Sequence, residues 1–184
     1  GNLIRFTSNK ASPAPGDWQY IFLNTNSAPN ASVVNYAIVE YSTRGVYIPS
    51  GSTALHPTIQ NSLIQNNQIG VYFEARSGPN ILHNTIINNT DGIFAYCNSS
   101  TGCTPTINNN SIYNNSQYNL HAFGDGVATT INAINNWWGS VDVAQVQAKI
   151  WYYAFDPTLP RVNFLPFLDG PDGNSYNSPP PSPR

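Results

Sequence analysis

Charge is what this sequence lacks first. Of 184 residues only seven are Lys or Arg and nine are Asp or Glu, 9% of the chain where soluble domains carry about 25%. With a net charge of −2 and a pI near 5.8, it has no clustered basic side chains to hold nucleic acid or an anionic membrane, and neither partner is expected. Long apolar runs are also missing. Nothing approaches the roughly 20 residues that cross a bilayer, so membrane insertion is not expected. The start, Gly1-Asn2-Leu3-Ile4-Arg5, has neither an initiator Met nor a signal-peptide profile, which suggests a soluble piece cut from a longer precursor. Amide takes the place of charge: 26 residues are Asn.

Cysteine is nearly absent too. Cys97 and Cys103 are the two present, separated by the loop-like Asn98-Ser99-Ser100-Thr101-Gly102. No other metal-ligand type lies nearby, so a disulfide-closed loop is expected rather than zinc, which takes four ligands at set spacings. A disulfide implies an oxidising compartment, hence an extracellular or cell-surface location. Sequons at Asn30, Asn88, Asn98, Asn109 and Asn114 carry no weight in so Asn-rich a chain.

What is present is a repeat. Pro57–Phe73 aligns without gaps on Pro79–Ala95 at an offset of 22, placing Ile59 over Ile81, Ile64 over Ile86 and Val71 over Ile93. An offset of 26 then brings Pro105, Ile107, Ile112 and Asn114-Asn115 onto the template, with Asn119-Leu120 replacing Gly92-Ile93 after one inserted residue. Val34, Val39 and Gly45-Val46 fit upstream, and Thr130-Ile131 opens a further copy. Apolar residues come in short period-two bursts, with no helical stripe before position 141. Short strands at a near-constant coil length specify an all-β, three-sheet parallel β-solenoid with coils about 4.8 Å apart. Its three inward columns are Val34, Ile59, Ile81, Ile107, Ile131; Val39, Ile64, Ile86, Ile112; and Val46, Val71, Ile93, Leu120. An amide ladder is expected at Asn66, Asn88 and Asn114, and Asn119 is expected to take the left-handed conformation open to Gly. A β-sandwich would predict hairpins and no such register.

These residues carry a resemblance. Pro-Thr-Ile-x-Asn-Ser-x-Ile-x-Asn-Asn-x-x-Gly-Val at positions 57–71, echoed twice downstream, resembles the right-handed parallel β-helix repeats of the pectate-lyase-like superfamily. Pro15-Gly16-Asp17-Trp18-Gln19-Tyr20-Ile21 with the segment 31–41, and Asn135-Asn136-Trp137-Trp138-Gly139 with the segment 162–168, are similar to parts of secreted bacterial proteins of that type. The likeness spans about residues 1–170. It implies the fold, and it leaves function open among enzymes, adhesive surface proteins and other secreted modules.

A solenoid must cover its ends. Ser140 is expected to cap a helix over about 141–150 whose Val143, Val146 and Ile150 share a face, with Trp137, Trp138, Trp151 and Phe155 closing the last coil. The N-terminal end shows no such device: preceding chain, the loop Thr7–Gly16 or another molecule would have to cover it. A solenoid over 1–168 is thus followed by a Pro-rich linker or tail, Asp169–Arg184.

The nine acids do not assemble a site in this register. Glu40 lies over Gln65, Ile87 and Tyr113, Glu74 over Tyr96, and Asp91 over Ile69, so no column holds the carboxylate pair that hydrolysis needs or the acid cluster that binds calcium. The superfamily's doubled Asp, Gly-His-Gly, Arg-x-x-Arg and Arg-x-Lys signatures are absent, and His56, His83 and His121 fall in different columns. Glu74, Arg76 and Asp91 form the least implausible catalytic patch; no catalytic residue, metal or cofactor is expected. Tyr47, Tyr72, Phe94 and His121 should form an outward aromatic ladder, to be covered by sugar rings, a partner subunit or the loop Asn98–Gly102. Thr58, Asn80, Thr106 and Thr130, beside Gln60, Leu82, Asn108 and Asn132, make a second, broken column of the type that orders water. The expectation is a secreted, non-catalytic module with a structural or adhesive role, associating with itself or another surface protein, end to end into a filament in the sharpest version. The alternative is a polysaccharide-binding module, lyase or hydrolase.

Overall fold

The computed structural model describes residues 3–24, 32–51, 56–98, 100–126, 128–171 and 175–176. Three parallel sheets run along one axis. Sheet A stacks β1 (Ile4–Phe6), β4 (Ala37–Glu40), β7 (Leu63–Gln65), β10 (Thr85–Ile87) and β13 (Ser111–Tyr113). Sheet B stacks β2 (Trp18–Phe22), β5 (Ser42–Ile48), β8 (Ile69–Phe73), β11 (Asp91–Tyr96), β14 (Tyr118–Phe123) and β16 (Ile150–Trp151). Sheet C stacks β3 (Val33–Asn35), β6 (Thr58–Gln60), β9 (Asn80–Leu82), β12 (Thr106–Asn108), β15 (Thr130–Asn132) and β17 (Arg161–Asn163). Neighbours in each sheet are a full coil apart in sequence, as the repeat requires.

The inward columns fall where the repeat puts them. Val39, Ile64, Ile86 and Ile112 pair in register in sheet A, and Val46, Val71, Ile93 and Leu120 in sheet B; all eight are fully buried. The third column departs from expectation at its last member. Thr106 opposes Asn132 rather than Thr130, which moves Ile131 two residues back from Ile107. A shift of two keeps the same face inward, so Ile131 and Ala133 are both fully buried. The bridge between Ser111 and Trp137 and the amide bond from Asn110 to Asn136 hold this coil at an offset of 26.

Asparagine is used in two ways, and the expected ladder sits one residue away from where the sequence placed it. Asn66, Asn88 and Asn114 take left-handed backbone, with φ of 55°, 56° and 55°. The buried, bonded ladder is formed by their successors. Asn67 donates its backbone N–H and side-chain amide to Oδ1 of Asn89 at 2.9 and 3.0 Å, and Asn89 does the same to Asn115. A left-handed residue reverses the chain, which swings the next side chain into the turn, where it satisfies carbonyls such as Val39 O and Ile64 O. A second ladder, Ser62, Asn84, Asn110 and Asn136, closes the sheet C to sheet A turn in the same way.

Glycine also differs from expectation. Gly45, Gly70 and Gly92 are not in left-handed conformations, nor is Asn119. Their role is close approach: a Cβ on each would lie 2.4, 2.5 and 2.6 Å from the carbonyl oxygen of the next coil.

The C-terminal helix, α1 (Val143–Ala148), is shorter than expected. Asp142, not Ser140, is its N-cap, accepting from Ala144 N at 2.8 Å, while Ser140 Oγ accepts from Asp142 N. Ile150 already belongs to β16, because its side chain continues the Leu120 column. Val143, Val146, Ile150 and Trp138 are buried. Phe155 is not: it is 48% exposed and stacks on half-buried Trp151 at 5.2 Å. After β17, β18 (Phe167–Leu168) pairs antiparallel with β19 (Ser175–Tyr176), so the segment expected as a linker or tail carries a short strand; residues 172–174 and 177–184 lie outside the described residues.

Candidate functional site

Sheet B carries an extended feature that the core does not explain. Phe22, Tyr47, Tyr72, Phe94, His121 and Trp151 are successive partners in register, one per coil. Ring centroids are 5.3, 5.2, 5.3, 4.4 and 6.5 Å apart along the file. The expected members Tyr47, Tyr72, Phe94 and His121 are all in it. Tyr20, Tyr118, Tyr96 and Phe123 join from the flanks at 5.0–6.1 Å. Packed aromatic pairs of this kind each contribute roughly 0.5–1.5 kcal/mol beyond area burial. Tyr20, Phe22, Tyr96, Phe123 and Phe155 remain 37–48% exposed, so the cysteine loop does not cover this face; position 99 of that loop is outside the described residues. Cys97 and Cys103 are joined in a disulfide, with Cα atoms 5.4 Å apart.

The polar groups on this face serve the rings. Arg44 lies over Tyr72 at 4.1 Å and Tyr47 at 4.7 Å from the ring centroids, which are cation–π contacts. Tyr47 Oη donates to Glu74 Oε1 at 2.8 Å, and Ser50 N donates to Glu74 Oε2. Burial, then the bond to Glu74 and its negative charge, push the Tyr47 phenol up to about 12. Tyr72 is raised by burial first and by the Glu74 charge second. Asp91 Oδ2 is 3.2 Å from His121 Nδ1, while its Oδ1 accepts from Tyr118 N.

Of the expected catalytic patch, Glu74 and Asp91 thus lie on this face with separate partners, and the Arg76 backbone N–H donates to Gly102 O on the disulfide loop. His56 meets Gly78 O, His83 sits at an exposed left-handed turn after β9, and His121 is on β14. Elsewhere carboxylates are bound into the fold. Glu40 is 3% exposed and receives Arg5, Thr7 and Gln65; burial pushes its carboxyl up, but the three hydrogen bonds and the Arg5 charge hold it below the ordinary range. Asp17 receives Lys10, Ser8 and Ala14 N, which lower it to about 2. Asp142 caps α1 and Asp156 caps a turn at Thr158. Among the described residues no group of three His, Cys, Asp or Glu could hold a metal ion, and no helix is long and apolar enough to cross a membrane. On sheet C the Thr column continues to Asn132 instead of Thr130, which breaks it a second time.

Residues 22–137 match a family model described as a right-handed β-helix region. The chain belongs to the right-handed β-helix family. That match covers well over half of the chain and fits the three parallel sheets and their coil-by-coil register. No curated protein and no solved structure matches the sequence.

Sequence reasoning missed the ends of the ring file and the second ladder. Phe22 was hidden by a register irregularity between Tyr20 and Ile21, and Trp151 by its proximity to the cap. The second ladder was available at the same offsets of 22 and 26 that align Ser62, Asn84, Asn110 and Asn136.

Proposed function

We propose that this β-helix is a secreted, non-catalytic module with a structural or adhesive role, and that sheet B is its contact face. The observation that carries this is the continuous ring file with its acids already engaged: Glu74 by Tyr47 and Ser50, Asp91 by Tyr118 and His121. A hydrolase needs an acid and a base left free to face substrate. Rings 4.4–5.3 Å apart in the middle of the file spend much of their faces on each other, which suits a rigid apolar face better than a row of sugar platforms. Exposed aromatics on so large a patch favour contact with another protein surface. The disulfide fits an extracellular or cell-surface setting.

Polysaccharide binding is the second reading, favoured by the rings that keep a free side at the rim of the file: Tyr20, Phe22, Phe123 and Phe155. Incubation with uronate and neutral polysaccharides, followed by assay of new reducing ends and unsaturated uronates, tests the first reading. No product above the blank is expected. Product formation lost in Glu74→Gln or Asp91→Asn would replace it with an enzyme.

A further inference from the structure

Where β13 turns into β14, the chain and α1 enclose a groove of about 610 Å³, lined among others by Tyr113, Asn114, Gln117, Trp138, Gln145 and Lys149. No Asp or Glu lines it. The carbonyls at this corner are already engaged within the fold. Lys149 Nζ donates to the carbonyls of Asn115, Ser116 and Gln117 at 3.0–3.1 Å, Ser140 Oγ donates to Gln145 Oε1 at 3.0 Å, and the Asn119 amide donates to Trp138 O at 3.2 Å. Donors remain. Trp138 is 3% exposed, and its indole Nε1 is the buried polar side-chain atom left without a partner among the described residues. A buried N–H in that state calls for a partner that the solenoid itself does not supply. Asn114, Gln117 and Gln145 hold further amide N–H groups at exposed positions. The groove therefore suits a ligand that accepts hydrogen bonds along its length, donates few, and has apolar bulk to lay against Tyr113.

The chain itself carries such a ligand. After β19 it reads Asn177-Ser178-Pro179-Pro180-Pro181-Ser182-Pro183-Arg184. Proline has no backbone N–H and fixes φ at about −65°, so this run is preset for polyproline II, in which no carbonyl is bonded internally. Segments of that kind dock in grooves lined by aromatic rings. We propose that residues 178–183 dock in this groove of their own chain. The path is short enough. Tyr176 pairs with Phe167, Leu168 N donates to Asn136 O at 2.9 Å, and Asn136 is two residues from Trp138. Those steps span at most about 20 Å, and eight residues of polyproline II cover about 25 Å. The tether also keeps the segment at a high effective concentration beside the groove. A sugar fits less well, because its hydroxyls donate as well as accept and the carbonyls here are engaged. The proposal goes beyond the sheet B reading and does not rest on it.

Two-dimensional NMR of the full chain tests it, read at the Trp138 indole N–H and the Gln117 and Gln145 side-chain amides. These signals should differ between the chain and a Pro180→Gly, Pro181→Gly double variant, whose changes lie beyond β19. A synthetic peptide of residues 177–184 added to the double variant should return them saturably to their original positions. Gln117→Ala and Gln145→Ala, at exposed positions where folding is spared, should each weaken that binding about fivefold for the hydrogen bond lost. Tyr96→Ser on sheet B should leave it unchanged. Identical signals in the chain and the double variant overturn the proposal, as does a peptide effect that both Gln variants leave intact. Signals that move with protein concentration would put a neighbouring molecule's segment in the groove, which overturns docking within one chain.

Discussion

Asn88 and Asn89 are adjacent and chemically identical, yet the fold asks different things of them. Asn88 is exposed and supplies a left-handed φ; Asn89 is 2% exposed and accepts from Asn67 while donating to Ile64 O, Ile87 O and Asn115. Asn89→Ala leaves several buried groups unpaired and should cost ~3 kcal/mol in chemical denaturation. Asn88→Ala pays only for left-handed strain, about 1 kcal/mol, and Asn88→Gly should be close to neutral. Equal losses at 88 and 89 would mean that the ladder is misassigned. Gly70→Ala should cost ~3 kcal/mol or more, because its Cβ meets the Gly92 carbonyl, which is backbone and cannot swing aside. Half of the 26 Asn residues are accounted for by six left-handed positions and seven buried ladder or turn positions. The paired Asn was legible as a turn signal, but which member turns and which bonds depends on φ, a property that spacing does not encode.

At the scale of the element, the strands of sheets A and B were legible because a period of two inside a coil of 22 to 26 leaves one solution for the inward face. Sheet C slipped by two at β15, where either register buries an apolar residue, so hydrophobicity could not choose and the Asn110–Asn136 bond did. The outward face was legible only in part, since a register shift in β2 hid Phe22 from the file. Titration tests both faces. Glu40 on sheet A has a lowered folded pKa, so its stabilisation is complete above the unfolded value near 4.5 and is lost as pH falls through the folded value. Glu40→Gln should therefore flatten the acid side of a stability–pH curve. Tyr47 on sheet B is raised to about 12, so its neutral form stabilises fully below pH 10, and that contribution is lost as pH rises toward 12. Glu74→Gln removes the negative charge and should bring the Tyr47 phenolate transition, followed by ultraviolet absorbance, back toward 10.

For the whole molecule, scarcity of charge, abundance of Asn and a sheet of stacked rings follow from one geometry. Identical neighbours recur about every 4.8 Å along the axis; like charges there repel, whereas amides bond and rings pack. The few charges that remain are spent on joints of the coil: Arg5 with Glu40, Lys149 with the carbonyls of Asn115, Ser116 and Gln117, and Arg44 over the rings. Such an architecture favours a surface over a reaction centre, in keeping with the proposal that sheet B is a preformed apolar contact face and not a sugar platform. The most direct measurement is a titration of the folded chain with soluble uronate and neutral oligosaccharides, read at the ring resonances of Tyr47, Tyr72 and Phe94. No saturable shift is expected at these rings. A saturable shift that maps along the file and is lost in Tyr72→Ala would make sheet B a sugar platform instead.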